Sequence, residues 1–116
     1  MKNRRKILFV CTVNRMRSAT AEKIFEGEPR FEVKSAGTDN NAARPITEDI
    51  LEWADTILVM EKLHRNVIRS RYPNIYKKKE IVCMYIPDEY EFMQPELISI
   101  LKSKIEEFIR KGLIKL

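Results

Sequence analysis

A cysteine and an arginine six positions apart are the residues of this chain best suited to chemistry. Cys11 follows the apolar run Ile7–Val10, and Arg17 precedes a stretch with helical spacing. A loop between a buried strand and a helix start directs several backbone N–H groups at one point, which makes it an anion site. The same positive field favours thiolate over thiol, and an arginine adds a planar fork for two phosphate oxygens. The segment therefore predicts an anion-binding loop that begins with a reactive cysteine.

The loop between these two residues is expected to bind the anion mainly through its backbone. A loop of this kind usually needs one position with positive φ, and because it contains no glycine, Asn14 is predicted to adopt that conformation. Ser18 is placed to hydrogen-bond the sulfur of Cys11. The alternative is a buried cysteine without a chemical role, which the combination with Arg17 and Ser18 makes less attractive. The predicted anion-binding residues are Thr12, Val13, Asn14, Arg15, Met16, Arg17 and Ser18.

Length and composition favour one folded domain spanning 1–116. The chain has 116 residues, of which 44% are hydrophobic and 34% are charged, enough for a core without covalent staples. No apolar run approaches the roughly 18–20 residues of a membrane span, so no membrane partner is expected. The net charge of +5 allows an anionic partner, but nucleic acid is not expected because zinc-ligand spacing, a basic helix and an RNA-binding aromatic motif are all missing. Two cysteines do not make a disulfide framework, which favours the cytoplasm.

Apolar runs alternate with helical patterns along the whole chain. The predicted strands are Lys6–Val10, Phe31–Ser35, Thr56–Met60 and Glu80–Tyr85. The predicted helices are Ser18–Glu28, one that follows an N-cap at Thr47, Glu61–Arg71, and one from Pro95 to Gly112. This alternation predicts an α/β protein, a three-layer αβα sandwich with a four-stranded parallel sheet. Ligands of such sheets bind beyond the carboxyl ends of the strands, where Cys11 is expected to lie.

The segment Cys11-x5-Arg17-Ser18 resembles the low molecular weight protein tyrosine phosphatase family. Further stretches resemble that family in the same order: Val33-x-Ser35-Ala36-Gly37-Thr38, Ala43-Arg44, Thr47-Glu48-Asp49, Asp55-x-Ile57-Leu58-x-Met60-Glu61, and Ile86-Pro87-Asp88-Glu89-Tyr90. The resemblance covers nearly the whole chain. It implies a flavodoxin-like sheet of the phosphotyrosine phosphatase I type, with no metal or other cofactor, and we expect a monomer.

The resemblance also implies a reaction, the hydrolysis of phosphomonoesters through a cysteinyl-phosphate. Cys11 would be the nucleophile, Arg17 and the loop amides would hold the phosphate, and Asp88 would act first as general acid and then as general base. The implied substrate is a phosphotyrosine protein or a small aryl phosphate. Phosphoryl transfer chiefly requires positioning and charge stabilisation, which these groups can supply.

Other residues are assigned supporting or flanking positions by the resemblance. Ser35 would steady Asn14 through a hydrogen bond, and Arg44 matches a family position near the same loop. Tyr90 and Arg15 would flank the substrate. Inorganic phosphate or sulfate is expected to bind in the loop.

The chain departs from the family pattern at several positions. Val13 stands where the family generally has glycine, and Met16 stands where it often has a second cysteine. Cys83 lies on an apolar strand and is predicted to be a core residue, so a protective disulfide is not expected. His64, at a position where the family usually has asparagine, is predicted to be solvated, with a supporting role as the alternative.

Three other functions remain open from the sequence. Val13 and the changed loop around Asp88 are compatible with a phosphate-binding module that lacks catalysis. A thiol arsenate reductase resembles the family in fold and loop, but it needs resolving cysteines and only Cys83 is available. A sugar-transport phosphocarrier also uses a strand-end cysteine, although Arg17 and Asp88 would have no evident function there.

Overall fold

Residues 4–116 are described by the computed structural model, and their four strands form one parallel sheet. The strands are β1 (Arg5–Cys11), β2 (Phe31–Gly37), β3 (Thr56–Val59) and β4 (Glu80–Cys83). Their order across the sheet is β2-β1-β3-β4, and every neighbouring pair is parallel. The central strands β1 and β3 are the apolar runs of the sequence because both of their faces are buried. The predicted parallel sheet is confirmed.

Five helices connect the strands of the described chain or follow the last of them. They are α1 (Arg17–Ile24), α2 (Glu48–Trp53), α3 (Lys62–Arg71), α4 (Pro73–Lys78) and α5 (Pro95–Arg110). The short helix α4 was not predicted from the sequence, where Tyr72-Pro73 indicated only the end of a helix. Proline both ends one helix and starts the next, since the first turn of a helix does not use its N–H group.

The hydrophobic core forms two clusters, one on each face of the sheet. Side chains of β1 alternate between them: Ile7, Phe9 and Cys11 pack into the first cluster, Leu8 and Val10 into the second. Helices α1 and α5 cover the first face, while α2, α3 and α4 cover the second. The three-layer αβα sandwich is therefore confirmed.

The amphipathic pattern of α5 predicted its inner face correctly. Leu97, Leu101, Ile105 and Phe108 are all buried. Gly112 follows the helix with φ +77°, the left-handed conformation that commonly terminates a helix. Leu113 then donates its N–H to the carbonyl of Phe108 at 2.8 Å, which satisfies an orphan carbonyl of the last turn.

Two details of the predicted elements are wrong. The spacing of Leu63, Val67 and Ile68 predicts one buried helix face, but Leu63 is 49% exposed, whereas Ile68 is fully buried. β4 was expected to reach Tyr85, yet it ends at Cys83. Tyr85 has φ +55°, which is incompatible with an extended strand. No helix within residues 4–116 is long and apolar enough to cross a bilayer.

A close approach at Gly37 joins the end of β2 to the loop that follows β1. A Cβ atom at position 37 would lie 2.5 Å from the carbonyl oxygen of Thr12 and 2.6 Å from Cβ of Ala42. Both distances are far inside van der Waals contact, and the carbonyl belongs to backbone that cannot rotate away. Glycine is therefore required here by space, since it is the one residue without a Cβ.

The first prediction concerns this contact. Gly37→Ala should lower the free energy of unfolding in urea by about 1–3 kcal/mol, because the added methyl forces backbone to shift. Its amide chemical-shift changes should concentrate at residues 12–14 and 42. The matched control is Gly27→Ala, where no atom lies within 4 Å of the new Cβ but φ is +81°. That variant should lose stability through backbone strain alone and leave residues 12–14 unshifted. An unperturbed loop in Gly37→Ala would contradict the close approach.

Candidate active site

The loop of residues 12–16 is held in shape by the segment that follows β2. The backbone N–H groups of Thr38 and Asp39 donate to the carbonyls of Cys11 and Thr12, each at 2.9 Å, and Ala43 donates to Val13 at 3.0 Å. Gly37, the last residue of β2, directly precedes this segment. These three hydrogen bonds fix the backbone of the loop before α1 begins at Arg17.

The start of α1 has the features of an anion-binding site. The first N–H groups of a helix have no partner within the helix. Met16, the N-cap residue, makes no side-chain hydrogen bond to them, so a bound anion is free to take that place. Arg15 and Met16 are exposed at this point, and Val13 is 36% exposed. The loop predicted from the sequence thus opens to solvent beside a helix start.

The sulfur of Cys11 lies at the base of this loop and has two hydrogen-bonding neighbours. The backbone N–H of Asn14 donates to it at 3.3 Å, and the hydroxyl oxygen of Ser18 lies 2.9 Å away. Asn14 Nδ2 donates to that same hydroxyl oxygen at 2.8 Å. When Cys11 is a thiolate its sulfur can only accept, so the Ser18 hydroxyl donates to it at 2.9 Å rather than to the more distant carbonyl of Ala36 at 3.4 Å. Two donors on one sulfur stabilise a thiolate.

Asn14 permits this arrangement through its backbone. Its φ is +58°, as predicted for a loop without glycine, and its side chain is buried. Asparagine tolerates the left-handed region better than most residues. One residue therefore turns the chain and also orients Ser18.

The guanidinium of Arg17 is buried, with 2% exposure, and is fixed through one of its nitrogens. Nη1 donates to Glu61 Oε2 at 2.6 Å and to the carbonyl of Ile86 at 2.7 Å. Both hydrogens of Nη1 are thereby used. The edge formed by Nε and Nη2 remains for a further ligand, and this is the edge that binds two oxygens of a phosphate.

Asp88 lies beside that same edge of Arg17. Its Oδ1 is 3.8 Å from Arg17 Nε, and its side chain is 69% exposed. At that distance the two charges attract without a hydrogen bond. The structure thus brings three side chains to one end of the sheet: Cys11 at the end of β1, Arg17 at the start of α1 and Asp88 from the loop after β4.

His64 is fully buried, so the prediction that it is solvated is wrong. Both of its ring nitrogens have partners. Nδ1 accepts the backbone N–H of Glu61 at 3.0 Å, and Nε2 lies 2.9 Å from Thr12 Oγ1. Since Nδ1 is an acceptor, the neutral ring carries its proton on Nε2 and donates it to Thr12. The contacts of both nitrogens explain why a polar ring is stable in the interior.

Burial and the positive charge of Arg17 lower the pKa of His64 to about 4. The carboxylates of Glu61 and Asp88 and the hydrogen bond to Glu61 act in the opposite direction but do not outweigh them. His64 is accordingly neutral at physiological pH.

Two further residues predicted for the site, Ser35 and Tyr90, have other contacts in the structure. Ser35 is buried but donates to the carboxylate of Glu22 on α1, while the side chain of Asn14 donates to Ser18. The predicted hydrogen bond between Ser35 and Asn14 is therefore not formed, because α1 places a stronger acceptor over β2. Tyr90 is half-buried and packs against the first core cluster.

Residues outside the first loop complete the site, and the sequence held some signals for them. Glu61 and His64 have the spacing of a capping box, with Glu61 at the N-cap of α3 and His64 at its third helical position. That spacing would have predicted a hydrogen-bonded histidine. The carbonyl of Ile86 carries no signal of this kind, because its role depends on how the chain turns after β4.

Neither a second thiol nor a metal cluster accompanies Cys11. Cys83 is buried in the second core cluster, whereas Cys11 belongs to the first. The sheet therefore separates the two sulfurs, and Cys83 is a core residue as predicted. Residues 4–116 contain no group of three or more His, Cys, Asp or Glu that could hold a metal ion.

Comparison with known proteins agrees with this arrangement. Residues 6–44, which include the loop, match the family model of the low molecular weight phosphotyrosine protein phosphatases. The protein-arginine-phosphatase of Bacillus subtilis (strain 168) is 25% identical over 90% of this chain and 92% of its own length.

Solved structures share the fold over nearly the full chain. Vibrio vulnificus Wzb, in complex with benzylphosphonate, is 24% identical, with a TM-score of 0.69 over 98% of this chain and all of that one. Wzb from Escherichia coli K30, a tyrosine phosphatase in complex with phosphate, is 20% identical, with a TM-score of 0.70 over 91% and 96%. The YwlE arginine phosphatase from Geobacillus stearothermophilus is 21% identical, with a TM-score of 0.67 over 93% and 94%.

The family match covers the segment that carries the cysteine and the arginine, and the fold agrees from β1 to α5. Over residues 6–44 the chain therefore resembles the low molecular weight phosphotyrosine protein phosphatases, and it shares the fold of the solved tyrosine and arginine phosphatases.

Proposed function

We propose that this protein is a cysteine phosphatase that hydrolyses phosphotyrosine in proteins, through a covalent cysteinyl-phosphate formed on Cys11. The observation that carries the proposal is the pair of donors on the Cys11 sulfur, the N–H of Asn14 and the hydroxyl of Ser18. A structural cysteine in a core has no need of them. A nucleophile does, because they stabilise the thiolate before attack and again when it leaves.

In the first step, Cys11 Sγ attacks phosphorus and the bond from phosphorus to the tyrosine oxygen breaks. The Nε–Nη2 edge of Arg17 and the N–H groups at the start of α1 hold the remaining phosphate oxygens. Asp88 gives its proton to the leaving oxygen. Its position 3.8 Å from Arg17 Nε supports this role, because a phosphate bound on that edge would lie next to Asp88.

In the second step, water attacks the phosphorus of the cysteinyl-phosphate and the S–P bond breaks. Asp88, now a carboxylate, takes a proton from the water, and Cys11 leaves as a thiolate. The products are inorganic phosphate and the free enzyme. The burial of Arg17 against Glu61 supports both steps, since a guanidinium that is already oriented loses little freedom when phosphate binds.

A second candidate substrate is protein phosphoarginine, on which the Bacillus subtilis relative acts by name. Glu89 and Glu91 are exposed on the same loop as Asp88, and carboxylates suit a guanidinium group better than an aryl ring. In that case the bond that breaks joins phosphorus to nitrogen, and Asp88 protonates the nitrogen. Tyr90, half-buried between the two glutamates, favours the aryl group instead.

The remaining alternatives have less support. An arsenate reductase needs a resolving thiol near the first, and Cys83 lies in the core of the opposite face. A binding module without catalysis would not need a carboxylate beside the arginine. We also propose that the protein acts as a monomer in the cytoplasm, where a catalytic thiolate stays reduced.

The second prediction tests the catalytic residues. Wild-type protein should hydrolyse p-nitrophenyl phosphate between pH 5 and 8 under reducing conditions, and Cys11→Ser should show none above background. Arg17→Lys should lower kcat/KM by about 10²–10³-fold through loss of the two-oxygen contact. Asp88→Asn should lower kcat for phenyl phosphate by about 10²–10⁴-fold, and less for p-nitrophenyl phosphate, whose leaving group needs no proton.

Cys83→Ser and Asp49→Asn are the matched controls for these substitutions. The first changes the other thiol in the same way, and the second removes an exposed carboxylate from α2. Both should keep wild-type turnover. An inactive wild-type enzyme would favour the binding module, and activity that survives Cys11→Ser would refute the mechanism.

The third prediction concerns the intermediate. Quenching with alkaline denaturant, in which the S–P bond is stable, should trap label from a ³²P-labelled aryl phosphate on the wild-type protein at up to one equivalent, and none on Cys11→Ser. Peptide mapping should locate the label at Cys11. Label at another residue, or turnover with no labelled protein, would contradict a cysteinyl-phosphate.

The fourth prediction separates the two substrates. Peptides identical except for phosphotyrosine or phosphoarginine at one position should differ in kcat/KM by at least about tenfold in favour of phosphotyrosine. The double substitution Glu89→Gln with Glu91→Gln should widen that preference. The reverse preference would identify phosphoarginine as the substrate. Activity on p-nitrophenyl phosphate with neither peptide would indicate small aryl phosphates.

A further inference from the structure

His64 joins two parts of the site that come from different elements. Through Nδ1 it holds the backbone of Glu61, whose carboxylate is bonded to Arg17. Through Nε2 it holds the side chain of Thr12, in the loop that follows Cys11. The imidazole therefore links the carboxylate that orients the arginine with the loop that binds the phosphate. Neither of these two hydrogen bonds goes to Cys11 or to Asp88.

The direction of these hydrogen bonds determines what Thr12 can do. Because the N–H of Glu61 is a donor, Nδ1 must accept and Nε2 must donate. Thr12 Oγ1 therefore accepts from His64, and its own proton is free to be donated elsewhere. Thr12 is partly exposed on the loop, so we infer that its proton is donated to a bound phosphate.

Protonation of His64 would reverse this arrangement at Nδ1. Two N–H groups, one from the ring and one from Glu61, would then face each other at 3.0 Å. The charged groups that face the ring are Arg17 from α1, Glu61 at the N-cap of α3 and Asp88 from the loop after β4. Of these, Arg17 opposes the added charge and the two carboxylates favour it.

We propose that His64 is a positioning residue for phosphoryl transfer: its neutral ring, protonated on Nε2, turns the hydroxyl of Thr12 into a donor for the phosphate and fixes Glu61 against Arg17. This inference deepens the proposed function and rests on it for the activity measurements. The state of the ring can be tested without any activity, so failure of either one can be recognised separately.

The first test is NMR of the ring nitrogens. His64 is the single histidine of the chain, so long-range ¹⁵N–¹H spectra of wild-type protein assign it without variants. One protonated nitrogen, Nε2, and one unprotonated nitrogen, Nδ1, are expected from pH 8 down to about 5, with titration near pH 4. A proton on Nδ1, or titration near pH 6.5 as in a solvated ring, would overturn the proposal.

The second test is a double-mutant cycle on kcat/KM for p-nitrophenyl phosphate. Thr12→Val should lower it by about tenfold and His64→Ala by at least as much, because His64→Ala also removes the contact to Glu61. The double variant should lose no more than His64→Ala alone, because the contact between Thr12 and His64 is already absent there. The same pattern should appear in the Kd for inorganic phosphate, which does not require turnover. Losses that multiply to about a hundredfold would show that the residues act independently and would refute the proposal.

Further variants separate positioning from packing. His64→Gln should recover most of the activity lost in His64→Ala, since its amide offers both an acceptor and a donor. Asn66→Ala, which removes an exposed side chain from the same helix, should match wild type. If His64→Ala lowers Tm while kcat/KM and phosphate affinity stay unchanged, His64 is only a packing residue and the proposal fails.

The fifth prediction follows from the lowered pKa of His64. Between about pH 6.5 and 4 the unfolded chain binds a proton at His64 that the folded chain does not, so Tm should fall as the pH falls through this window. Above pH 6.5 this contribution is fully present. In His64→Gln the decrease should be smaller, because the titrating group is absent. An equal decrease in both proteins would contradict a neutral buried ring.

Discussion

The buried guanidinium of Arg17 is the constraint on which the rest of the site depends. A permanent charge with 2% exposure is stable only if its surroundings supply hydrogen-bond acceptors and opposite charge. Glu61, at the start of α3, and the carbonyl of Ile86 with Asp88, in the segment after β4, supply them from two different parts of the chain. These segments must therefore converge on the start of α1, and they leave the Nε–Nη2 edge of the guanidinium for a further ligand.

Residues 11–18 contain no glycine, so the positive φ and the close approach that a compact loop needs are supplied by two different residues. Asn14 provides the positive φ, and its side chain orients Ser18 toward the sulfur. The close approach that a compact loop requires is provided instead by Gly37, on the neighbouring strand. Val13 is tolerated because its side chain points partly to solvent. The space for the loop is therefore provided by Gly37 of β2, whereas its positive φ and its hydrogen bond to Ser18 come from Asn14.

Most of the fold could be predicted because each strand and each long helix has a strong local pattern. The apolar runs of β1 and β3 predict strands that are buried on both faces. The spacing of Leu97, Leu101 and Ile105 predicts a helix with one buried face. The errors occurred where tertiary contacts override such patterns. His64 lies close to charged residues in the sequence, which predicts an exposed side chain, yet two hydrogen bonds stabilise it in the interior. β4 ends at Cys83, and the positive φ of Tyr85 prevents it from continuing as an extended strand. A tyrosine in the sequence does not predict that conformation.

By itself, the sequence determined the parallel sheet, the loop from Cys11 to Arg17, the positive φ of Asn14 and the presence of Asp88 after the last strand. These are local properties of neighbouring residues and of strand order. Only the tertiary structure decided which acceptors bind Arg17, where the Ser18 proton points and which tautomer His64 adopts. The physical reason is that hydrogen bonds between distant segments depend on distances of a few tenths of an ångström. Packing of the two core layers sets those distances, and no short stretch of sequence encodes them.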